Sequence, residues 1–179
     1  MTKRLLLLRH AQSDSGYTGK DKERPLASEG VSEAATLGYY IRDNGWSPDC
    51  VLCSDALRTR ETLRHVSKSL YYNLVTDKTV FLPALYSGGV EDYLLHIQQC
   101  NDAARTIMLV GHQPNLPIFA RMLASPDSFR KPVAQIFDRY FPATLSIFSC
   151  AINRWEDLRY GENSLVDVVN PNNLICHLF

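Results

Sequence analysis

The sequence predicts an α/β protein built on a mainly parallel sheet. Short apolar runs, typical of buried strands, alternate along the chain with segments whose apolar residues recur at helical spacing. Strands that alternate with helices favour parallel pairing, because each helix carries the chain back across the sheet. The 179 residues are enough to bury a large core, and we expect one domain over residues 1–179.

The first predicted strand and helix are separated by a polar stretch. Lys3–Leu8 is a short apolar run that ends at a charged pair, and it predicts a buried strand. Ser28 is the expected cap of the first helix, and Asn44 with Gly45 marks its end. The apolar positions of this helix are Val31, Ala34, Ala35, Gly38 and Ile41.

Two further strand–helix units follow. Val51–Cys53 is the second predicted strand, and Ser54 is the expected cap of the next helix. Thr79–Leu82 is a short strand that Pro83 stops. The apolar stripes of the two helices are Ala56, Leu63, Val66 and Leu70 in one, and Val90, Tyr93, Leu94 and Ile97 in the other.

The last part of the chain holds two strong strands. Thr106–Val110 is a strand that a turn over Gly111–Pro114 joins to a helix at Leu116–Leu123. Residues 125–142 carry three prolines and predict a long excursion, whose role the composition leaves open. Leu145–Cys150 is the final strong strand, with Arg154–Leu158 as its expected partner.

The charge balance excludes several partners. Lys and Arg number 19 and Asp and Glu number 19, so the net charge is zero and offers no broad basic surface for nucleic acid. The longest apolar run near the start is Leu5–Leu8. A secretory signal needs roughly 7–15 apolar residues and a membrane span about 20. We therefore expect a cytoplasmic protein without membrane contact, and the sequence leaves its oligomeric state open.

The five cysteines do not predict a disulfide framework, because their number is odd and they are widely spread. Cys50 and Cys53 form a C-x-x-C string, but they lie on a predicted strand. Residues three apart on a strand point to opposite faces, so these thiols could neither pair nor share a metal. We interpret them as small buried side chains.

Polar side chains follow three of the predicted strands. Arg9 and His10 end the first strand, Arg58 lies one helical turn after the second, and Gly111-His112 ends the fourth. Parallel strands bring their carboxyl ends to one crevice, where ligands of α/β proteins bind. Arginine forks and helix N-termini suit a phosphoryl group. The sequence therefore predicts a phosphoryl site at this edge of the sheet.

Each of these residues also has a structural interpretation. A single histidine after a strand is commonly structural, but Arg58 beside a helix N-terminus opposes the helix dipole unless an anion joins it. A metal held by His10 and His112 is the other alternative. The arginines would repel a cation, and no carboxylate stands at matching spacing. We expect neither a metal nor a cofactor.

Three ordered motifs resemble those of the histidine phosphatase superfamily, which has the phosphoglycerate mutase-like fold. They are Leu8-Arg9-His10-Ala11, Ser54-x-x-x-Arg58-x-x-x-Thr62 and Gly111-His112. The short length and Arg24-Pro25-Leu26-x-x-x-Gly30 are similar to the SixA-type phosphohistidine phosphatase branch. The resemblance covers nearly the whole chain and implies a three-layer α/β/α sandwich.

The resemblance also implies roles for single residues. His10 is the implied nucleophile that takes the phosphoryl group, and the neighbouring arginines help to keep its imidazole uncharged. The residues implied to hold the phosphoryl oxygens are Arg9, Arg58 and His112. Arg24 and Gln12 are the expected further contacts to the substrate.

A general acid is missing from the expected places. Many relatives carry a glutamate where this chain has Ser87, and another branch has an acid where this chain has Gln113. Glu91 is the fallback donor. Because an alkoxide leaving group needs a proton and an imidazole needs little help, we expect a phosphohistidine protein as the substrate. The alternatives are a small-molecule phosphomonoesterase and a non-catalytic phosphate-binding module.

Overall fold

The computed structural model describes residues 2–70, 74, 78–130 and 139–174, which form a six-stranded mixed sheet flanked by helices. The strands are β1 (Lys3–Arg9), β2 (Cys50–Ser54), β3 (Thr79–Leu82), β4 (Thr106–Gly111), β5 (Leu145–Cys150) and β6 (Ser164–Val169). The α-helices are α1 (Ser28–Asp43), α2 (Leu57–Ser69), α3 (Ala84–Ser87), α4 (Val90–Gln98), α5 (Asn115–Leu123) and α6 (Pro171–Leu174). Single 3-10 turns lie at Asp21–Glu23, Pro126–Arg130 and Trp155–Asp157.

The strand order is β3-β2-β4-β1-β5-β6. The first four strands in this order pair in parallel, whereas β5 and β6 are antiparallel. The prediction of a mainly parallel sheet is therefore confirmed. Arg9 pairs with Gly111, and Cys53 pairs with Val110, so β1, β2 and β4 end at the same edge.

Two apolar cores cover the two faces of the sheet and make three layers. Side chains alternate between faces along a strand, and Leu5 and Leu7 point into one core while Leu6 and Leu8 point into the other. The first core contains Tyr93, Ile97, Phe119 and Leu123 of α4 and α5. The second contains Leu37, Ile41, Leu63 and Val66 of α1 and α2. The predicted α/β/α sandwich is confirmed.

The expected partner of the last strong strand is wrong. Arg154–Leu158 contains a 3-10 turn, and the strand that pairs with β5 is β6. The side chain of Trp155 is fully buried and its Nε1 donates to the carbonyl oxygen of Ala104 at 2.8 Å. A buried indole needs such a partner. This contact holds residues 154–158 against the first core, on one face of the sheet, and not alongside β5.

Two predicted helix caps are also wrong. Ala27 and Ala56 occupy the cap positions of α1 and α2, without a capping side chain. Ser28 is the first residue of α1, whereas Ser54 is the last residue of β2. The hydroxyl of Ser54 lies 2.7 Å from Nε2 of His112, so it forms a hydrogen bond with the residue that follows β4 and does not cap α2.

The excursion at residues 125–142 begins with the 3-10 turn and returns beside β1, while residues 131–138 lie outside the described part of the chain. Tyr140 is buried, and its hydroxyl lies 2.8 Å from Oγ of Ser146.

Cys50 and Cys53 contact opposite cores, as their strand spacing predicts. Within the described ranges, no helix is long and apolar enough to cross a membrane.

Gly30 in the first turn of α1 fixes how closely this helix approaches the loop after β1. A Cβ placed there would lie 2.1 Å from the carbonyl oxygen of Gln12, which is backbone and cannot rotate away. We predict that Gly30→Ala lowers the free energy of unfolding by about 1–3 kcal/mol, the usual cost of overpacking. Urea denaturation measures this difference.

Gly16→Ala is the matched control, because a Cβ there would meet its nearest neighbour, Asp14 Oδ1, at an ordinary 3.4 Å. We expect its unfolding free energy to stay within about 0.5 kcal/mol of the parent. Equal stability of the two variants would show that the approach of α1 to the loop is not sterically fixed.

Candidate active site

His10 is the first residue after β1 and its backbone is held on both sides. Its N–H donates to the carbonyl of Gly111 at 3.1 Å, and its carbonyl accepts from the N–H of Ala143 at 3.0 Å. Ring atom Nδ1 lies 2.8 Å from the carbonyl oxygen of Ala11. Because a carbonyl oxygen can only accept, Nδ1 carries the ring hydrogen and Nε2 keeps its lone pair.

His112 follows β4 and lies beside His10, with the ring centroids 5.2 Å apart. Its Nε2 contacts the hydroxyl of Ser54 at 2.7 Å, and that hydroxyl also accepts from the N–H of Ala56 at 3.4 Å. The ring of Tyr86 from α3 packs edge-on against His112, with the centroids 5.5 Å apart. The three strand ends therefore converge as the sequence predicts.

Two arginines complete a basic pocket. Arg9 donates from Nη1 to the carbonyl of Tyr140 at 2.5 Å. The Arg58 residue is only 6% exposed, and its two terminal nitrogens contact Asp21. The buried side-chain atoms here that have no hydrogen-bond partner are Arg9 Nε, Arg58 Nε and His112 Nδ1. The two guanidinium nitrogens are always donors, and buried donors are costly to leave unpaired, so the arrangement fits a bound oxyanion.

The electrostatics of the pocket keep both imidazoles uncharged. Burial, reinforced by the charges of Arg58, Arg9 and Arg24, lowers the pKa of His10 to about 4. Burial and the neighbouring His10 lower the pKa of His112 to about 3. At neutral pH, Nε2 of His10 is therefore unprotonated beside cationic groups, which is the state that a histidine nucleophile requires.

Thr62 joins the loop of His10 to the helix of Arg58. Its hydroxyl accepts from the N–H of Ala11 at 3.0 Å and donates to the carbonyl of Arg58 at 2.6 Å. One fully buried side chain thus fixes two elements of the pocket relative to each other. This contact is the physical reason for the spacing of Arg58 and Thr62 in the second motif.

The two expected substrate contacts differ in their surroundings. Arg24 lies next to the pocket, where its charge helps to lower the pKa of His10 and its Nη2 donates to a carboxylate oxygen of Asp21. Gln12 is exposed, and its Nε2 contacts the carbonyl of Ser13 at 3.4 Å. Its backbone N–H donates to Glu33 at 2.8 Å. The side chain of Gln12 thus has no described contact with the other pocket residues.

The fallback acid Glu91 is not brought to the histidines by any described contact. It is exposed in the first turn of α4, where its charge adds to the effect of burial in raising the pKa of Tyr160. Asp92 caps that helix by accepting from the N–H of Gly89 at 2.8 Å. Asp21 is a carboxylate that contacts Arg58 and Arg24 of the pocket, and the sequence did not single it out. The pattern that could have indicated it is the Asp-x-x-Arg spacing between Asp21 and Arg24.

The chemical character of the pocket is that of an anion site. Arg9, Arg58 and Arg24 all help to lower the pKa of His10, so three cations act on one uncharged imidazole. Within the part of the chain that the structure describes, no group of three or more His, Cys, Asp or Glu residues is placed to hold a metal ion. The donors present suit phosphoryl oxygens, because guanidinium forks match their geometry and charge.

Comparison with known proteins agrees with this geometry. The sequence model of the histidine phosphatase superfamily (branch 1) matches residues 5–80. An uncharacterized protein of Mycobacterium tuberculosis strain H37Rv is 30% identical over 159 residues, which cover 89% of this chain and 96% of that protein.

Solved structures agree over nearly the whole chain. A Nakamurella multipartitia structure that carries the assignment phosphohistidine phosphatase SixA is 28% identical, with a TM-score of 0.81 and coverage of 96% of this chain and 97% of that one. The protein histidine phosphatase SixA complexed with tungstate is 20% identical, with a TM-score of 0.75 and coverage of 96% and 99%, and it supports the fold alone. The chain therefore belongs to the histidine phosphatase superfamily, on its SixA-type branch, and is a phosphatase.

Proposed function

We propose that this phosphatase removes the phosphoryl group from phosphohistidine in a protein, by way of a phosphohistidine intermediate on His10. The observation that carries the proposal is the uncharged, buried His10 beside unpaired nitrogens of Arg9, Arg58 and His112, with no protonated carboxylate in contact with it among the described residues. The Asp21 carboxylate has a pKa of about 2: burial opposes this lowering, but Arg24, Tyr86 and Arg58 outweigh it. Asp21 is therefore ionised and has no proton to give.

In the first step, the lone pair of His10 Nε2 forms a bond to phosphorus and the P–N bond of the substrate breaks. The electron pair of that bond returns to the ring nitrogen of the substrate histidine. The ring of His10 becomes cationic, and its Nδ1 keeps its hydrogen, which it donates to the carbonyl oxygen of Ala11 2.8 Å away. A charge-assisted hydrogen bond of this kind stabilises the intermediate.

Transfer between two histidines needs no general acid. A substrate imidazole whose other nitrogen is protonated leaves as neutral imidazole, as His10 does in the second step. The bonds broken and formed are of the same type, so the transfer is close to balanced. An alkoxide has to be protonated as it leaves, and a positioned acid typically contributes about 10²–10⁴-fold to such a step. The missing donor thus favours a P–N substrate.

In the second step, water attacks phosphorus, the P–N bond to His10 breaks, and the phosphate product keeps the protons of the water. The oxygens gain charge towards the transition state, where preorganised donors act most strongly. Arg9 Nε, Arg58 Nε and His112 Nδ1 are the donors that we assign to them. Ser54 orients the His112 ring through its contact with Nε2.

A cavity beside Arg9 supports a substrate larger than a phosphate ion. Its volume is about 440 Å³, and Gln113, Arg139 and Phe141 contribute to its lining. Phe141 is 53% exposed and offers an apolar face for the imidazole of a substrate histidine. The zero net charge of the chain agrees with a phosphoprotein partner and not with a polyanion.

Incubation with a ³²P-labelled phosphohistidine peptide and rapid quenching tests the nucleophile. We predict an acid-labile, base-stable label on His10 in the parent protein and none in His10→Asn, because the variant has no basic ring nitrogen. The measurement is peptide mapping of the labelled protein.

His65→Asn is the matched control, since His65 lies on α2 away from the strand ends and should leave the label intact. A label that survives in His10→Asn would overturn the assignment of the nucleophile. Phosphate release at the buffer background in both the parent and His10→Asn would instead favour a non-catalytic phosphate-binding module.

Comparison of leaving groups tests the substrate class. We predict that kcat/KM for a phosphohistidine peptide exceeds that for an alkyl phosphate monoester by about 10²–10⁴-fold, the contribution of the acid that the pocket lacks. A nitrophenyl ester, whose leaving group needs little protonation, should fall between the two. Steady-state phosphate release measures all three.

Glu91→Gln serves as the internal check on the fallback donor. Under the proposal, none of the three rates changes in this variant, since Glu91 has no described contact with the pocket. Fast hydrolysis of the alkyl ester that is lost in Glu91→Gln would contradict the proposal and favour a small-molecule phosphomonoesterase.

The lowered pKa of His10 predicts a specific pH dependence. An NMR titration of the imidazole should give a midpoint near pH 4 instead of the ordinary value of about 6.5. The unfolded chain takes up its proton first, so the free energy of unfolding should decrease as the pH falls from about 6.5 towards 4. A midpoint near 6.5 in the folded protein would contradict the burial of an uncharged nucleophile.

A further inference from the structure

We propose that Asp21 is a positioning residue that turns the guanidinium of Arg58 so that one of its edges faces the phosphoryl group. The proposal rests on the proposed function, because it assigns Asp21 a part in the same reaction. The carboxylate itself does not touch the substrate in this arrangement. It acts through Arg58.

The contact between Asp21 and Arg58 is made at the end of the guanidinium. Nη1 of Arg58 donates to the backbone carbonyl of Asp21 at 2.8 Å, and Nη2 donates to its Oδ2 at 3.1 Å. Two hydrogen bonds from one planar group to one residue fix both the position and the tilt of the plane. Arg58 therefore has its orientation before any ligand arrives.

The other usable edge of the guanidinium stays free for an anion. A guanidinium can bind two oxygens through its Nη1–Nη2 end or through its Nε–Nη2 side. Asp21 takes the end, whereas Nε of Arg58 is buried and has no partner. The side edge is thus left for phosphoryl oxygens. The charge of Arg58 also helps to lower the pKa of His10, so the guanidinium acts on the same pocket as that histidine.

The 3-10 turn that carries Asp21 is itself held at several points. The hydroxyl of Tyr86 donates to Asp21 Oδ2 at 3.0 Å, and Nη2 of Arg24 donates to Oδ1. Lys22, the next residue, forms an ion pair with Asp55 at 2.6 Å. Because Tyr86 also packs against His112, the turn, Arg58 and His112 form one connected unit.

The negative charge of Asp21 has two opposing effects on catalysis. Its carboxylate lies near the phosphoryl site and weakens the binding of an anion there. Its hydrogen bonds hold Arg58 where the transition state needs it, and misplacement of such a group by about 1 Å can cost about 10²-fold in rate. Loss of the charge should therefore reduce kcat without raising KM.

The test compares Asp21→Asn with Glu23→Gln, which removes the same charge from the same turn at an exposed side chain without a described contact. For Asp21→Asn we expect kcat on the phosphohistidine peptide to fall about 10- to 100-fold. KM and the inhibition constant of inorganic phosphate should stay equal or decrease. Glu23→Gln should keep kcat within about twofold. Because a loss of folding would lower the apparent kcat without changing KM, kcat is calculated from the folded fraction that a urea denaturation curve gives for each variant.

Three results would overturn the proposal. An unchanged kcat with tighter phosphate binding would make Asp21 a competing anion instead of a positioning residue. A rate loss confined to the alkyl ester would make it a proton donor. Equal losses in Asp21→Asn and Glu23→Gln would reduce the effect to overall charge.

A second measurement does not depend on turnover. In the parent protein, the Nε–H signal of Arg58 in a ¹H–¹⁵N spectrum should be sharp and should shift when inorganic phosphate is added. In Asp21→Asn it should broaden, because the guanidinium loses its fixed plane. The two proposals fail on different results. If His10→Asn keeps full activity, the proposed function fails. If the Arg58 signal is unchanged in Asp21→Asn, Asp21 does not position Arg58.

Discussion

The active site depends on the in-register parallel pairing of β1 with β4. This pairing sets Arg9 opposite Gly111, so the two residues that follow, His10 and His112, emerge side by side. Four consecutive leucines on β1 are fully buried and hold the strand at the centre of the sheet. The packing of both cores therefore fixes the distance between the two imidazoles. No flexible loop has to bring them together.

Burial and charge act in the same direction on the nucleophile. Burial disfavours the imidazolium, and the arginines add electrostatic repulsion, so His10 stays uncharged in a pocket that attracts anions. The carbonyl of Ala11 fixes the tautomer, which leaves a lone pair on Nε2. Under the proposed function, this nitrogen takes and releases the phosphoryl group without help from a carboxylic acid. The proposal therefore expects phosphohistidine to be a better substrate than an alkyl ester.

The sequence was sufficient to predict the strand ends that build the pocket, because buried strands are short apolar runs and the polar residues follow them directly. Arg9, His10, Arg58 and His112 could be placed together on this ground alone. Asp21 and Tyr86 could not, since neither directly follows a strand: Asp21 lies on a 3-10 turn and Tyr86 on α3. The pairing of β5 with β6 could not be predicted, because the burial of Trp155 in the first core keeps residues 154–158 away from β5 and leaves the next segment, β6, to pair with it.

Under the proposed function, Nε2 of His10 carries the phosphoryl group while Nδ1 keeps its hydrogen bond to Ala11. A ³¹P and ¹⁵N NMR spectrum of the trapped phosphoenzyme, with the histidine rings labelled with ¹⁵N, tests this most directly. The account predicts ³¹P–¹⁵N coupling to Nε2 of His10 and a retained proton on its Nδ1. Coupling to Nδ1, or to another histidine, would contradict it.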